Sequence, residues 1–373
     1  MEIKTDFSAY LDKINSILLK ALPDTPDQFF IEKAFGRSGL NINGINLTSS
    51  REVQELLKPN RELLLSGGKR WRPLFLVLCA EAFIEKNRIC GQQAEKLLSD
   101  AYTLTPLLEF VHTASLIHDD IEDHSQERRG KPAAYLTYGL DTALNSASWL
   151  YFEAPVCIKS IIQGKEVKQA LYDAYLVELR KLHLGQAMDI YWHRQESFIP
   201  KQEEYLFMVK SKTGTLSSLA ARIGSLIAGA RPEEVEEMAL CASKIGAGFQ
   251  IIDDVINLTT GNAGKDRGDD IVEGKKSLPV ILFFEQASKE EQEELTGYFK
   301  EAHNSSTENP AVEKAINLMK KNNSIEKARE IGLKLIEESL EEFEQLLGSE
   351  NSALTKIKFL FQKMSPGKAG PHV

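Results

Sequence analysis

The stretch LIHDDIED, residues 116–123, carries four acidic side chains among its last five residues. At 100° per residue along a helix, Asp119, Asp120 and Asp123 fall within an arc of about 100°, so three carboxylates share one face. A solvated helix end is the ordinary explanation for such a cluster. However, the preceding TPLLEFVHTASLI is too apolar for an exposed helix, and acidic residues at a helix C-terminus oppose the helix dipole. We therefore expect these aspartates to lie at the opening of a buried cavity, with a positively charged group among them.

A second helix end repeats the pattern in GAGFQIIDDVINL. Asp253 and Asp254 close an apolar helical run, and Asn257 occupies the position of the third acid. Carboxylate oxygens on rigid helices suit Mg²⁺, which retains waters and usually bridges to substrate phosphates. The two helix ends together predict a magnesium site and a phosphate ester as its ligand.

Basic residues adjoin both acidic ends, although the chain as a whole is acidic. They are Lys69, Arg70 and Arg72 in SGGKRWRP, Arg128 and Arg129 in QERRGKP, Lys210 and Lys212 in VKSKT, and Lys265, Lys275 and Lys276 in GKDRGDDIVEGKK. Any one cluster alone is more typical of a solvated surface. Arginine offers forked donors that match phosphate oxygens, and lysine offers a mobile point charge. Together the clusters predict a ligand with several phosphates, one held through metal and another by Arg and Lys directly.

Three further polar residues have less specific patterns. His112 lies about two helical turns before Asp119 and within about 20° of it around the helix, so it either donates to a phosphate or is a core histidine. Gln186 and Asp189, at i and i+3 in GQAMD, either reach the same cavity or belong to an ordinary helix surface. Spacing alone leaves both alternatives open.

Helical periodicity of apolar residues runs through almost all of the chain and predicts the elements that position these residues. It predicts helices over 74–86, 93–118, 166–192, 202–229, 233–257, 278–302 and 326–347. Polar or Gly- and Pro-rich breaks predict loops over 35–50, 64–70, 124–133, 193–200, 259–277 and 303–310. Because no sustained two-residue alternation and no βαβ rhythm is present, we expect an all-α fold.

Length and composition limit the classes of function. The chain has 373 residues, a formal net charge of −9 and 42% hydrophobic residues, which is typical of a soluble globular protein and argues against a nucleic-acid partner. Four scattered cysteines, Cys79, Cys90, Cys157 and Cys241, indicate reduced thiols and a cytoplasmic location. The most apolar stretch, LSSLAARIGSLIAGA, is interrupted by Arg222, so we expect no transmembrane segment.

The motifs GGKRWRP, HTASLIHDDIED, RRGKP, GQAMDIYW, KSKT and GFQIIDD…GKK resemble, in this order, the signatures of the trans-isoprenyl diphosphate synthases. The resemblance covers about residues 60–285. Within the family, DDIEDHSQERRGKP, NSASWLYF and DIVEGKKSLP are most similar to geranylgeranyl diphosphate synthases of eukaryotic type. Asn257, in place of the third acid of the second motif, is also a mark of that subfamily.

This resemblance implies a single-domain helical bundle around a deep central cavity, usually as a homodimer. From the chain itself we expect an N-terminal helical extension at 1–50 and, after the synthase domain at 51–350, a helix end with a loose tail at 351–373. The resemblance also implies a Mg²⁺-dependent reaction, in which an allylic diphosphate loses pyrophosphate and the allylic cation is attacked by the double bond of isopentenyl diphosphate. A proton then leaves. The starter would be a farnesyl, geranyl or dimethylallyl diphosphate.

Roles for individual residues follow from the same resemblance. Asp119 and Asp123 would bind magnesium on one side and Asp253 on the other, with Asp120 and Asp254 in support. Arg128, Lys212 and Lys275 would hold the allylic diphosphate. The isopentenyl diphosphate would be held by Lys69, Arg72, His112 and Arg129, and the wider substrate-binding set includes Arg70, Gln186, Asp189 and Lys265. Thr213 and Gln250 would line the reacting carbons.

Product length depends on what blocks the growing tail. The small residues Ala114 and Ser115 lie a turn before Asp119, where farnesyl-producing members carry an aromatic floor, and Val111 is a candidate block further along. We expect geranylgeranyl diphosphate as the product, then longer prenyl products, then farnesyl. A class I terpene cyclase is a rival, although it binds one diphosphate and the basic clusters indicate two. A non-catalytic prenyl-binding subunit is another, although such a chain would be expected to lose acidic ligands that are all present here.

Overall fold

Seventeen α-helices and one 3₁₀ helix make up most of the part of the chain that the computed structural model describes, which is residues 6–27, 30, 51–195, 198–261, 266–303 and 305–364. The predicted loop at 35–50, the predicted loose tail SPGKAGPHV (365–373) and Lys265 lie outside these residues. The all-α fold class is confirmed. The division into three regions stays a prediction.

Most helices exceed two turns. In chain order, α1 to α5 are Ser8–Ala21, Arg51–Leu65, Trp71–Lys86, Gly91–Thr103 and Pro106–Glu122. Next, α6 to α8 are Ala134–Tyr138, Leu140–Glu153 and Lys165–His193, with the 3₁₀ helix Ala154–Ser160 between α7 and α8. The long central helix α11 is Pro232–Thr259, preceded by α9 and α10 at Gln202–Lys212 and Gly214–Ile227. Finally, α12 to α17 are Asp269–Val272, Leu278–Gln286, Lys289–Ala302, Pro310–Lys321, Ser324–Leu347 and Ser352–Met364.

Several predicted helices are in fact pairs. The run 93–118 is interrupted between α4 and α5, the run 202–229 divides at Thr213, and the run 278–302 divides between α13 and α14. Apolar periodicity continues through each break because both helices of a pair bury their apolar side against the core. The predicted loop 124–133 contains a minimal hairpin, in which β1 (Glu127–Arg128) pairs antiparallel with β2 (Lys131–Pro132). The predicted loop 259–277 contains α12.

Local sequence explains where the functional helices begin and end. Pro106 opens α5 and Pro232 opens α11, because proline suits the first turn, where its missing N–H has no intrahelical partner. Glu234 also accepts a hydrogen bond from the Arg231 N–H at 2.9 Å, which caps α11. At the other end of the chain, α16 stops at Gly348, whose φ of 90° favours glycine.

Helices α10 and α11 form the centre of the bundle. Helix α11 packs against α10 and α16, and α10 also packs against α3. Two glycines permit the close approach of α10 and α11, since a Cβ on Gly246 would lie 2.7 Å from the Cα of Gly214. Any side chain at position 246 would therefore push the helices apart.

The buried apolar residues form two clusters on either side of this centre. The larger cluster includes residues of α1, α3, α5, α7, α10 and α17, the smaller includes residues of α9 and α13 to α15, and α11 and α16 contribute to both. Helix α1 is tied to the larger cluster by polar contacts as well, since the Tyr10 hydroxyl donates to Glu81 at 2.9 Å and Lys356 Nζ lies 2.8 Å from the same carboxylate. Among the described residues, no helix is both long and apolar enough to cross a bilayer.

Candidate active site

A cavity of about 590 Å³ opens at one end of the bundle. The C-terminal parts of α5, α8 and α11, the α9–α10 junction and the turns at 67–70 and 273–277 surround it. The sequence-predicted residues that line it are Lys69, Arg70, Arg72, His112, Ser115, Asp119, Arg128, Arg129, Gln186, Asp189, Lys212, Thr213, Gln250, Asp253, Asp254 and Lys275. The structure thus brings together groups that are more than 200 residues apart in the chain.

The end of α5 presents the first acidic motif. Asp119 faces the cavity, where its carboxylate lies 3.4 Å from Lys212 Nζ and 3.2 Å from Gln186 Nε2. Asp120 is buried behind it and accepts a hydrogen bond from Arg128 Nε at 2.8 Å. Asp120 therefore does not line the cavity; it holds the guanidinium of Arg128, which does.

Asp123, the last acid of this motif, lies beside the cavity wall and not on its lining. Its carboxylate is 3.4 Å from Lys275 Nζ, and its side chain is almost fully buried. Burial raises the pKa of Asp123 to about 6, although the ammonium of Lys275 acts to lower it. Conversely, burial acts to lower the pKa of Lys275, but Asp123 and Glu273 outweigh burial and raise it well above its ordinary value.

The end of α11 presents the second acidic motif on the facing wall. Burial raises the pKa of Asp253 to about 6, against the lowering effect of Lys69 and Arg72. Asp254 accepts hydrogen bonds from the Tyr205 hydroxyl at 2.6 Å and from Gln250 Nε2 at 2.9 Å. Burial and the neighbouring Asp270 raise the pKa of Asp254 to about 7.

The α9–α10 junction places Lys212 between the two motifs. Lys212 Nζ lies 2.7 Å from Asp189 Oδ2 on α8, and the charges of Asp189 and Asp119 raise the pKa of Lys212 above its ordinary value in spite of burial. This approach depends on Gly185, because a Cβ there would overlap the Lys212 backbone nitrogen and lie 2.9 Å from its Cα. The next residue, Thr213, donates its hydroxyl to Gln250 Oε1 at 2.9 Å.

The glycine turn after α2 carries the first basic cluster. Gly68 has a φ of 122°, and a Cβ on it would lie 2.8 Å from a guanidinium nitrogen of Arg70 and 2.9 Å from one of Arg129. Glycine therefore permits both guanidinium groups to pack over the turn. Arg129 also donates to the carbonyl oxygen of Leu63 at 3.0 Å.

Arg70 directs its donors to protein atoms. Its guanidinium binds Asn15 Oδ1 at 3.2 Å, the carbonyl oxygen of Gly67 at 3.0 Å and Glu109 Oε1 at 2.8 Å, and it also donates to the carbonyl oxygen of Leu64. Arg70 therefore acts as a brace, in the sense that its hydrogen bonds to protein atoms stabilise the turn. Its predicted contact with substrate stays a prediction.

Arg72 and His112 lie side by side on the facing helices α3 and α5. Arg72 Nη1 is 3.4 Å from His112 Nε2, and the guanidinium stacks over the Trp71 ring at 4.4 Å. Burial lowers the pKa of Arg72 to about 10. Burial and the charge of Arg72 lower the pKa of His112 well below its ordinary value, so the imidazole is neutral and can still offer one N–H.

Ring side chains from three helices line another part of the cavity wall. The Tyr151 ring lies 5.5 Å from that of His118 and 5.3 Å from that of His183, and all three line the cavity with Leu182. These three residues were not predicted as a group, because the rings come from α5, α7 and α8. Spacing along one helix gives no sign that they meet.

The predicted chain-length residues occupy different positions. Ser115 lines the cavity, and its hydroxyl donates to the carbonyl oxygen of His112 at 2.9 Å. Val111 and Ala114 are fully buried in the larger apolar cluster and do not line the cavity. Their predicted effect on product length stays a prediction.

Other lining residues were not assigned from sequence. Glu122 accepts a hydrogen bond from Gln186 Nε2 at 2.6 Å, and its place within the acidic stretch was the available signal. Asn257 lines the cavity and accepts from the Asp270 N–H at 3.4 Å. Its Nδ2 is buried without a hydrogen-bond partner among the described residues.

The donor set fits a hard divalent cation. Asp119 and Asp253 offer carboxylate oxygens from opposite walls, and Asp123 adds a third close by. Among the described residues, no three Asp, Glu, His or Cys side chains converge closely enough to hold an ion by themselves. Mg²⁺ usually binds through one or two protein carboxylates together with substrate phosphates and waters, and Asp119 and Asp253 would supply such carboxylates.

Comparison with known proteins agrees with this geometry. The sequence model of the polyprenyl synthetase family matches residues 53–319. The chain is 34% identical to a geranylgeranyl diphosphate synthase of Sulfolobus acidocaldarius over 247 residues, which are 65% of this chain and 71% of that protein. It is 35% identical to a short chain isoprenyl diphosphate synthase of Methanocaldococcus jannaschii over 271 residues, or 71% and 76% of the two chains.

Solved structures share the whole fold. The geranylgeranyl pyrophosphate synthetase of Pyrococcus horikoshii superposes with a TM-score of 0.78 at 26% identity, covering 96% of this chain and 97% of that one. The geranylgeranyl pyrophosphate synthase of Corynebacterium glutamicum, solved with isoprenyl diphosphate and magnesium, has a TM-score of 0.78 at 20% identity and covers 97% and 99%. The resemblance seen in the sequence motifs is confirmed, and the chain belongs to the polyprenyl synthetase family.

Proposed function

We propose that this protein is a geranylgeranyl diphosphate synthase, which condenses isopentenyl diphosphate with a shorter allylic diphosphate and releases pyrophosphate. One observation carries the proposal. Two acidic helix ends and members of the four basic clusters line a single cavity, and rings from three helices form part of its wall. Such a cavity suits two diphosphate groups at its mouth and one prenyl tail within.

The basic residues have separate tasks in this proposal. Arg128, Lys212 and Lys275 hold the allylic diphosphate beside Asp119, and they neutralise the charge that develops as pyrophosphate leaves. Lys69, Arg72, Arg129 and the neutral His112 hold isopentenyl diphosphate against the opposite wall. Bound Mg²⁺, held by Asp119, Asp123 and Asp253, would supply further neutralisation of the leaving diphosphate.

The α9–α10 junction lies where the two substrates would meet. Thr213 Oγ1 and Gln250 Oε1 share a hydrogen bond there, and their oxygen dipoles suit the stabilisation of an allylic cation. Because water would capture such a cation before the alkene does, the surrounding wall must exclude it. Leu216, Phe249 and Met208 supply apolar surface at this depth.

The ring cluster of Tyr151, His118 and His183 supports a product of limited length. Each added isoprene unit buries several methylene groups at about 0.8 kcal/mol each, so binding favours longer tails until side chains block them. We assign that block to these rings, and to Tyr151 above all, since it contacts both histidines. Longer prenyl products and farnesyl diphosphate are the alternatives.

An apolar strip on α7 and α8 supports a homodimer. Leu176, Val177, Leu184 and Tyr191 are each about half exposed, and they fall within an arc of about 100° on α8. Leu140, Leu144 and Phe152 of α7 are also exposed. Exposed apolar strips of this kind mark protein interfaces. The four free cysteines support the cytoplasm as the location.

One assay tests this proposal. Purified protein is incubated with Mg²⁺, labelled isopentenyl diphosphate and a farnesyl, geranyl or dimethylallyl starter, and the products are separated by length. We expect a twenty-carbon diphosphate as the main product. Ionisation of the starter without incorporation of label would favour a terpene cyclase, and no reaction with any starter would favour a prenyl-binding subunit.

A further inference from the structure

Tyr205 on α9 is a buried residue that no step of the proposed reaction uses. It belongs to the smaller apolar cluster and is only 1% exposed. Its hydroxyl donates a hydrogen bond to Asp254 Oδ2 on α11 at 2.6 Å. Phenylalanine would fill the same apolar space, so the packing of the cluster does not require the hydroxyl. What the hydroxyl adds is therefore its contact with Asp254.

Asp254 connects Tyr205 to a chain of hydrogen-bonded side chains. Its second oxygen, Oδ1, accepts from Gln250 Nε2 at 2.9 Å, one helical turn earlier on α11. Gln250 Oε1 in turn accepts from the Thr213 hydroxyl at 2.9 Å. The chain thus links Tyr205 to the α9–α10 junction, where the two substrates would meet.

The direction of each hydrogen bond in this chain follows from the chemistry of the groups. An ionised carboxylate only accepts, so Asp254 requires the amide nitrogen of Gln250 on its side and leaves the amide oxygen for Thr213. The Thr213 hydroxyl gives its single proton to that oxygen, and its lone pairs are left for another partner. Thr213 and Gln250 both line the cavity. The negative ends of two dipoles therefore meet on this wall.

The opposite orientation of the Gln250 amide would repel a cation. If the amide turned by half a rotation, its N–H groups would lie beside Thr213 and present the positive end of the dipole. Asp254 opposes this turn, because its carboxylate attracts the N–H groups and repels Oε1. Tyr205 holds the other oxygen of the same carboxylate, so it fixes the rotation of Asp254 and thereby the position of Oδ1 beside Gln250.

We propose that Tyr205 is a positioning residue for prenyl transfer. Through Asp254 it orients the Gln250 amide and the Thr213 hydroxyl, so that their oxygens face the allylic cation. Dipoles that are oriented before the reaction stabilise a developing charge without the cost of turning during the reaction. Because it concerns the allylic cation, this role rests on the proposed function.

Tyr205→Phe tests the proposal, because it removes the hydroxyl and keeps the ring. The single-turnover rate of condensation is measured by rapid quench with saturating Mg²⁺ at pH 8, where Asp254, whose pKa burial raises to about 7, is ionised. We expect the rate to fall at least about fivefold, with the KM of each diphosphate within about twofold of wild type. Tyr298→Phe, on α14, removes a hydroxyl that also donates to a carboxylate at 2.6 Å, that of Glu294, and should retain the wild-type rate.

A double-mutant cycle shows whether Tyr205 acts through Gln250. Gln250→Leu removes the amide that the chain orients, and Gln250→Met is a second background that keeps more of the side-chain length. Positioning through Gln250 predicts that Tyr205→Phe slows either background by less than about twofold, although it slows the wild type at least about fivefold. A merely structural loss would slow all three proteins by the same factor. Equal factors would therefore overturn the proposal.

The Mg²⁺ dependence separates this role from one in metal binding, since Asp254 adjoins Asp253. Loss of a group that orients a metal ligand typically costs about 10–100-fold in metal affinity. We expect the Mg²⁺ concentration at half-maximal rate to differ by less than about twofold between wild type and Tyr205→Phe. A raised Mg²⁺ requirement with an unchanged rate at saturation would overturn the proposal.

The wild type alone decides the proposed function. A wild type without prenyl transfer would overturn both the proposed function and the role of Tyr205. An active wild type and an equally fast Tyr205→Phe variant would overturn only the role of Tyr205.

Discussion

Arg70 Nη1 and Glu109 Oε1 lie 2.8 Å apart, and their side chains are only 8% and 3% exposed. Removal of one partner from a buried ion pair leaves an uncompensated charge, which typically costs about 3–5 kcal/mol. We therefore expect Glu109→Ala to lower the free energy of unfolding by about that amount, measured by urea denaturation. Glu55→Ala removes the partner of Lys58 from an exposed pair and should cost less than about 1 kcal/mol. Similar losses in both variants would contradict the role of Arg70 as a brace.

Asp119 is the acid on the cavity wall that contacts Lys212, Gln186 and Arg128 together. Asp119→Ala should lower the rate of prenyl transfer by at least about 10²–10³, the usual loss when one electrostatic group of an active site is removed. Far-UV circular dichroism should be unchanged. Asp173→Ala, which removes an exposed acid from α8, should retain the wild-type rate. A fast Asp119→Ala enzyme would remove the proposed metal and diphosphate site.

Tyr151 limits product length if it forms the end of the tail-binding surface. Tyr151→Ala opens space beside His118 and His183, so we expect products at least one isoprene unit longer than those of the wild type. Chromatography of the dephosphorylated products measures this shift. Tyr298→Ala, far from the cavity on α14, should leave the distribution unchanged. An unaltered distribution in Tyr151→Ala would assign the block to other residues.

Glu234 makes stability depend on pH. The hydrogen bond from Arg231, together with Lys86 at 2.7 Å, lowers the pKa of Glu234 to about 2 in the folded protein, against 4.5 ordinarily. A lowered folded-state pKa adds stability that is fully present above about pH 4.5 and is lost as the pH falls toward 2. Because solvent screens the exposed Arg231, we expect about 1–2 kcal/mol.

Denaturation of wild type and Glu234→Gln between pH 7 and pH 3 checks this sign. The difference in unfolding free energy should be largest at neutral pH and should shrink in acid. Glu233→Gln changes an exposed neighbour and should behave as wild type throughout. A difference that stays constant over this pH range would mean that Glu234 acts by packing alone.

The apolar strip on α8 predicts the oligomeric state. Leu176→Glu/Leu184→Glu places two charges where we expect the partner subunit, so the protein should elute as a monomer in size-exclusion chromatography with light scattering. The wild type should have twice the mass of one chain. Leu65→Glu, at an exposed residue outside α7 and α8, is the control. A monomeric wild type would disprove the homodimer.

Sequence predicts the parts of this site that lie within one helix. Asp119 and Asp253 could be predicted to lie at the opening of a buried cavity, because the residues before each of them are too apolar for an exposed helix. The hidden role of Arg70 could not be foreseen, since nothing in GGKRWRP distinguishes a guanidinium that binds Glu109 from one that binds phosphate. Nor could the contact between Tyr151 and His183, because it depends on how α7 and α8 are placed by the rest of the bundle.

Gly185 brings the backbone of α8 into direct contact with that of Lys212. The backbone of Lys212 is therefore held by two helices in van der Waals contact, and Asp189 holds its ammonium at 2.7 Å. Immobilising a long side chain on binding ordinarily costs about 0.5–1.5 kcal/mol. Here much of that entropy is already lost when the chain folds, so substrate can bind Lys212 with little further ordering.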